Sequence, residues 1–295
     1  MADRRLTVVS SGVTLGGIGD EAAPDLAGQI AAHTALGWSS IELRTVDGRA
    51  IADLDDDAFE LLRASIDAAG LQVSCVDSRI ANWGRPISGN LGADVAELAA
   101  LAPRCRALGT RYVRIMSYPN DGLTTAQWGA EAIRRIRVLT AQAADEGLVL
   151  LHENCAGWAG ESAERTLRLL DAVDSPALWL IFDIGNGIAY GYRPYDFLRQ
   201  VVDAVAHVHV KDGVRRDGTD VWTDPGDGDC RVVDCLRLLV ERGWTGVWSI
   251  EPHLHVQPHA GVTDAGQAGP DAFVAYGRRL ENLLRTADLR LGVHA

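Results

Sequence analysis

The chain has 295 residues, 47% of them apolar, and carries 28 Lys and Arg against 40 Asp and Glu, a formal charge of −12. That balance argues against a sequence-independent grip on nucleic acid, which needs clustered basic side chains to displace phosphate counterions. Five scattered cysteines without a CxxC pair argue against a disulfide frame or a thiolate zinc site and fit reduced thiols. The opening "MADRRLTVVSSG" has no apolar export core and no apolar run reaches about 18 residues, so a cytoplasmic protein without a membrane segment is expected.

In chain order, the β-type run "LTVVS" (6–10) comes first, followed by the helical stretch "LAGQIAAHTALG", with Asp25 as N-cap and Gly37 as its left-handed stop. "SIELR" (40–44) precedes the helical "DDDAFELLRASIDAAG", and "LQVSCV" (71–76) precedes "LGADVAELAALAPRCRALG", which Pro103 is expected to weaken or kink. Next come "YVRIM" (112–116), "LVLLHE" (148–153), "LWLIFD" (178–183), "VAHVHV" (205–210) and "GVWSIE" (246–251), each separated from the next by a helical repeat. An irregular stretch rich in Gly, Pro and His (252–270) leads to a last helix near 271–287. A loop that long beside a compact fold is usually functional.

Strands alternating with helices of ten or more residues imply βαβ units and a parallel sheet. About eight such units, with no GxGxxG after the first strand, predict an α/β protein of the closed (β/α)₈ kind. No linker divides it, so residues 1–295 are expected to form one domain.

In such a barrel the chemistry gathers at the C-terminal strand ends. The last strong side chains of four consecutive late strands are Glu153, Asp183, His209 and Glu251. Alternation puts Val149, Leu151 and Glu153 on one face, sends His152 the other way, and places His207 one layer below His209. Three carboxylates and an imidazole converging there would repel and desolvate one another without a cation. An oxygen-rich set with one nitrogen donor suits Mn²⁺ first, with Mg²⁺, Co²⁺ or Zn²⁺ as alternatives, and differs from a structural zinc site. A vicinal hydroxy-carbonyl compound chelated there, with carboxylates as proton acceptor and donor, would pass through an enediolate.

The motifs "HENCAGW", "FDIGN", "HVHVKDG", "PGDGD" and "SIEPH" resemble the sugar phosphate isomerase/epimerase superfamily of xylose isomerase-like TIM barrels. That superfamily includes ketose 3-epimerases, hydroxypyruvate isomerases and inosose dehydratases. The resemblance implies that Glu153, Asp183, His209 and Glu251 hold one divalent metal and that Glu153 and Glu251 double as the acid/base pair. Two positions depart from the sugar epimerases: Ala159 replaces a second glutamate and Asn186 replaces a histidine. Arg215 stands where those epimerases tend to place an arginine, within a different local sequence.

Around this centre Arg114, Asn186, Lys211, Trp83 and Trp158 are assigned to substrate. Each has a plainer alternative. Arg114, at a strand end with Tyr118, can instead pair with a barrel carboxylate, and Lys211 can merely balance Asp183 or Glu251. Trp83, Trp158 and Trp222 can wall a pocket or simply pack loops. His253, His255 and His259 read as solvated or hydrogen-bonded rather than ligating, and Cys155 as a small buried residue. The leading expectation is a metal-dependent isomerase or epimerase of a sugar, keto-sugar or cyclitol. A lyase acting on a 3-keto-glycoside or inosose is the alternative, ahead of an endonuclease IV-like phosphodiesterase or an inactive sugar-binding barrel. The partner is a small sugar-like molecule, unphosphorylated because no Gly-rich phosphate cradle is present, and a homo-oligomer is left open.

Overall fold

Eight parallel strands make the wall of a barrel: β1 (Val13–Gly17), β2 (Ser40–Leu43), β3 (Gln72–Asp77), β4 (Tyr112–Ser117), β5 (Val149–Gly157), β6 (Leu178–Asp183), β7 (Val205–Val210) and β8 (Gly246–Ile250). The computed structural model describes residues 8–10, 12–253, 256–257, 262–263 and 269–291. The strands are ordered β2-β3-β4-β5-β6-β7-β8-β1. Between β1 and β2 the ring closes through one parallel bridge, Ile18 to Glu42.

Outside run α1 (Leu26–Leu36), α2 (Asp56–Ala68), α3 (Leu91–Ala107), α4 (Thr125–Asp145), α5 (Ala163–Val173), α6 (Pro194–Val201), α7 (Val232–Glu241) and α8 (Pro270–Thr286). Their starts follow from side chains that satisfy otherwise orphaned N–H groups: Asp25, Asp55, Asn90, Thr124 and Ser162 each accept from the first turn. Gly37, at φ 69°, ends α1 in the left-handed conformation as expected. α3 continues past Pro103 to Ala107, so the proline does not end it. Among the described residues no helix is long and apolar enough to cross a membrane.

The first strand is a correction. Of the run 6–10, the described part Val8–Ser10 does not enter the barrel but pairs with Leu289–Leu291 in a separate two-stranded sheet. The barrel strand is the glycine-bearing "VTLGG" instead. A Cβ on Gly16 would lie 3.0 Å from the Ser40 carbonyl, and one on Gly17 would lie 2.4 Å from the Phe273 ring. Close approach demands glycine there, and glycine erases the apolar signature by which strands are recognised.

Most of the core lies between wall and helices, where residues such as Leu150, Ile115, Val208 and Trp248 are fully buried. Each such aliphatic side chain contributes about 1.5–3 kcal/mol on burial. Inside the barrel Cys75, Val149, Leu151 and Ile181 form a small apolar cluster. By alternation along β5 and β6, the next inward positions are Glu153 and Asp183. The polar centre therefore sits on an apolar floor.

Candidate active site

Four donors converge at the C-terminal mouth. Glu153 faces inward from β5, Asp183 ends β6, His209 lies near the end of β7, and Glu251 follows β8 with its N–H bonded to the Val210 carbonyl. One ligand atom from each lies within 4.8 Å of all the others. Nδ1 of His209 is 3.7 Å from Glu153 Oε1, 3.9 Å from Asp183 Oδ2 and 3.6 Å from Glu251 Oε2. All four side chains are buried, and that Nδ1 has no hydrogen-bond partner among the described residues. A buried imidazole nitrogen without a partner, ringed by three carboxylates, fits a shared cation with bonds of about 2.0–2.6 Å. The cluster can hold a divalent metal.

Local sequence holds each donor in place. Oδ1 of Asp183 accepts from the Gly185 and Asn186 N–H groups at 2.6 and 2.8 Å, which leaves Oδ2 for the centre. Asn154 clamps the Asp183 backbone from both sides, donating to its carbonyl at 2.8 Å and accepting its N–H at 2.7 Å. Gly185 is required because a Cβ there would meet Lys211 Cγ at 2.5 Å. Asn186 donates to Glu153 Oε1 at 3.0 Å. On its far side His209 Nε2 lies 3.1 Å from Glu42 Oε1, while His207 Nε2 lies 2.9 Å from Glu42 Oε2. Burial works to raise the Glu42 carboxyl, but the imidazoles of His207 and His209 outweigh it and hold it well below the usual carboxylate range.

Cations neutralise part of this charge. Lys211 Nζ lies 2.8 Å from both Asp183 Oδ2 and Glu251 Oε2, beneath the Trp222 ring at 5.2 Å. Arg44 reaches Glu251 Oε1 at 2.9 Å and also pairs with Asp20 and Glu21. Arg114 lies 3.4 Å from Asp77 and 3.3 Å from Glu153. The pairing expected as the plainer alternative for Arg114 and Lys211 is thus present, and both also line the cavity described next.

The three carboxylates differ in basicity. Burial pushes Asp183 up to about 6, with Glu251 and Glu153 adding to the rise and Lys211 opposing it. Burial is outweighed at Glu251 by Lys211, His253, His209 and Arg44, so its carboxyl sits well below the usual range. At Glu153 burial is outweighed by Arg114 and His209, and its carboxyl is lowered too.

A cavity of about 190 Å³ opens onto this centre. Trp83, Tyr190 and Trp222 are its aromatic walls, and Arg44, Arg114, Asn186, Lys211 and His253 are polar groups on its lining. Trp158 is a correction: it does not line the cavity but lies in the outer core, with its ring against Gly129 and under Arg168. Its sequence neighbourhood is the loop after β5, but the chain turns outward there. Tyr118 also points away, donating to Asp94 Oδ2 at 2.7 Å, and Arg215 is half-exposed and pairs with Asp220. His253 is buried rather than solvated, with Nδ1 3.1 Å from Glu21 Oε1 and Nε2 3.7 Å from Glu251 Oε1. His255 and His259 lie outside the described residues. Cys155 lines the cavity, but burial first and Glu153 second push its thiol up to about 12, which leaves it a poor nucleophile.

Sequence reasoning passed over Glu42, Asp20 and Glu21 as parts of this centre. Glu42 carried a signal, a lone acid between Ile41 and Leu43 whose parity turns it inward. Asp20 and Glu21 sit on the short turn Gly19–Glu21 after the unrecognised β1 and carried none.

Fold and site together define a (β/α)₈ barrel whose mouth gathers donors that could hold a divalent metal. The chain belongs to the xylose isomerase-like TIM barrel family, whose sequence model matches residues 30–269. Inosose dehydratase of Geobacillus kaustophilus is 31% identical over 119 residues, which cover 35% of this chain and 38% of that protein. The chain spans less than half the length of the curated relatives it matches. Among solved structures, a D-tagatose 3-epimerase-like protein superposes with a TM-score of 0.73 at 17% identity, over 93% of this chain and 98% of that one. The 3-keto-D-glucoside 4-epimerase of E. coli gives 0.69 at 15% identity, over 93% and 99%. At those identities the two structures define the shared fold.

Proposed function

We propose that this chain is a divalent-metal-dependent isomerase or epimerase that moves a proton at a carbon beside the carbonyl of a sugar, keto-sugar or cyclitol. The observation that carries the reading is the placement of Glu153 Oε1 and Glu251 Oε2 at 3.7 and 3.6 Å from the same His209 nitrogen. Both glutamates line one small cavity with aromatic walls. Glu153, Asp183, His209 and Glu251 would hold the ion, Mn²⁺ by preference, and the ion supplies Lewis-acid polarisation of a carbonyl oxygen.

The protein's own groups do the rest. Glu153 takes the proton from the substrate carbon, its carboxylate oriented by Asn186 on Oε1 and Arg114 near Oε2. Glu251, held in position by Arg44 on Oε1 and Lys211 on Oε2, hands back a proton that its carboxylate first takes up from solvent through the open cavity, and Glu153 releases its own to solvent before the next turnover. The Lys211 ammonium stands beside the place where negative charge collects in the enediolate and offsets it. Trp83 and Trp222 offer faces for the carbon skeleton and keep water from the reacting carbon.

A second reading keeps the first proton transfer and ends in loss of a β leaving group. The inosose dehydratase relative supports it. Deuterium uptake from D₂O across ketoses, 3-keto-glycosides and inososes, with Mn²⁺ present, separates these outcomes. Deuterated epimer or isomer supports the main reading and an unsaturated product the second. No exchange with any compound would discard both.

A further inference from the structure

We propose that Glu42 is a positioning residue of the metal centre: its single carboxylate decides which nitrogen of His209 faces the ion and ties that imidazole to His207. The inference deepens the proposed function and rests on its metal reading. A neutral imidazole has one N–H, and either nitrogen can carry it. Here Nε2 of His209 faces Glu42 Oε1 at 3.1 Å, and an ionised carboxylate only accepts, so the proton belongs on Nε2. The lone pair is then left on Nδ1, the atom that the three other carboxylates surround. The opposite tautomer would set a lone pair against a carboxylate between two fully buried side chains and aim an N–H at the cation. A carboxylate behind a ligating histidine also raises the ligand's basicity.

His207 supplies the second half of the device. Its Nε2 takes Glu42 Oε2 at 2.9 Å, so both oxygens are engaged and the carboxylate cannot swing away. The two imidazoles stand edge to face, with centroids 5.7 Å apart and planes at 89°. Glu42 comes from β2 and the histidines from β7, so the clamp crosses the barrel interior rather than joining adjacent strands. This gives the lower histidine of "HVHV" a task without making it a ligand.

The test compares wild type, Glu42→Gln, His207→Gln and His207→Phe after chelation. Mn²⁺ binding is read by electron paramagnetic resonance of the free ion, and Co²⁺ by its visible absorption bands. Urea unfolding of each metal-free protein is followed alongside. Glu42→Gln is expected to bind Mn²⁺ about 10–100-fold more weakly and to shift the Co²⁺ bands, as loss of such a partner does. His207→Gln, which keeps a donor for Oε2, should stay close to wild type, and His207→Phe should fall between the two. Wild-type affinity together with an unchanged Co²⁺ spectrum in Glu42→Gln overturns the proposal. Should that variant lack a cooperative urea transition, His207→Phe decides: wild-type binding and spectrum there also overturn it. A wild-type protein that binds neither ion would instead remove the metal reading itself.

Discussion

Glu153 and Glu251 make similar distances to His209 but answer to different partners, so each is tested by its own variant. Glu153→Gln and Glu251→Gln should each lose turnover by about 10²-fold or more while retaining some Mn²⁺, the usual scale for an acid/base group. Exchange of the substrate α-proton, followed by NMR, is the check: near-wild-type exchange in either variant would reduce that residue to a ligand. His152, next to Glu153, offers a second test. Burial lowers its imidazole to about 4, with Glu153 opposing, and neither ring nitrogen has a hydrogen-bond partner among the described residues. Its folded value lies below its unfolded value near 6.5, so the unfolded chain takes up the proton first. Its contribution is whole above about 6.5 and fades as pH falls towards 4, by on the order of 2–3 kcal/mol. Urea unfolding of wild type and His152→Phe across that window should show a shallower slope for the variant; equal slopes would contradict it. The four converging donors were legible because each stands at or near the end of an apolar run and parity turns it inward. Glu42 was passed over because its partners lie 165 and 167 residues away, a distance that no local pattern spans. His253 is hydrogen-bonded, one of the two states expected for it, but its partner Glu21 lies 232 residues away and its burial had no local signal.

The segment after β7 is the element in which sequence and packing explain each other most directly. Asp212 opens the hairpin Asp212–Arg216/Thr219–Thr223 and accepts four backbone N–H groups: Gly213 at 2.9 Å, Gly226 at 2.8 Å, Gly228 at 3.1 Å and Cys230 at 3.1 Å. "PGDGD" is therefore the loop folded round that carboxylate, and a Cβ on Gly228 would stand 2.2 Å from Asp212 Oδ1. The same hairpin carries Trp222, whose ring lies over Lys211 and edge-on to His253. Asp212→Ala strips these N–H groups of their acceptor and should cost about 2–4 kcal/mol in urea unfolding. It should also raise KM more than it lowers kcat, because one cavity wall loses its anchor. Gly228→Ala should share both effects, and an unchanged KM in both variants would detach the hairpin from the site. The motif was readable as a diagnostic string, but its purpose was not, since backbone donors are invisible in a list of side chains. β1 was missed for a related reason: Gly16 and Gly17 mark close packing by what they lack.

At the scale of the whole molecule, the alternation of strand and helix was enough to specify a closed barrel, because eight wound units leave few other ways to bury both faces of a parallel sheet. How the ring shuts was not specified. On one side β1 has a five-residue ladder with β8, and on the other only the Ile18–Glu42 bridge to β2. Side chains span that weak joint: Thr45 donates to Asp20 at 2.6 Å, and Arg44 links Asp20 and Glu21 to Glu251, while Glu42 beside it reaches across the interior to His209. The barrel's girth is thus secured at one point by groups that pair with Glu251 and His209, two of the donors proposed to hold the ion. Local opening should begin there, where few backbone bonds must break. Stripping the metal should then speed amide hydrogen exchange in a peptide covering 38–45 while leaving the β4–β5 ladder slow, and uniform change by mass spectrometry would refute this. On the proposed metal reading, a barrel hooped in this way would report its own cargo: an empty mouth would be a looser ring, and a loaded one would be drawn tight along a single stave.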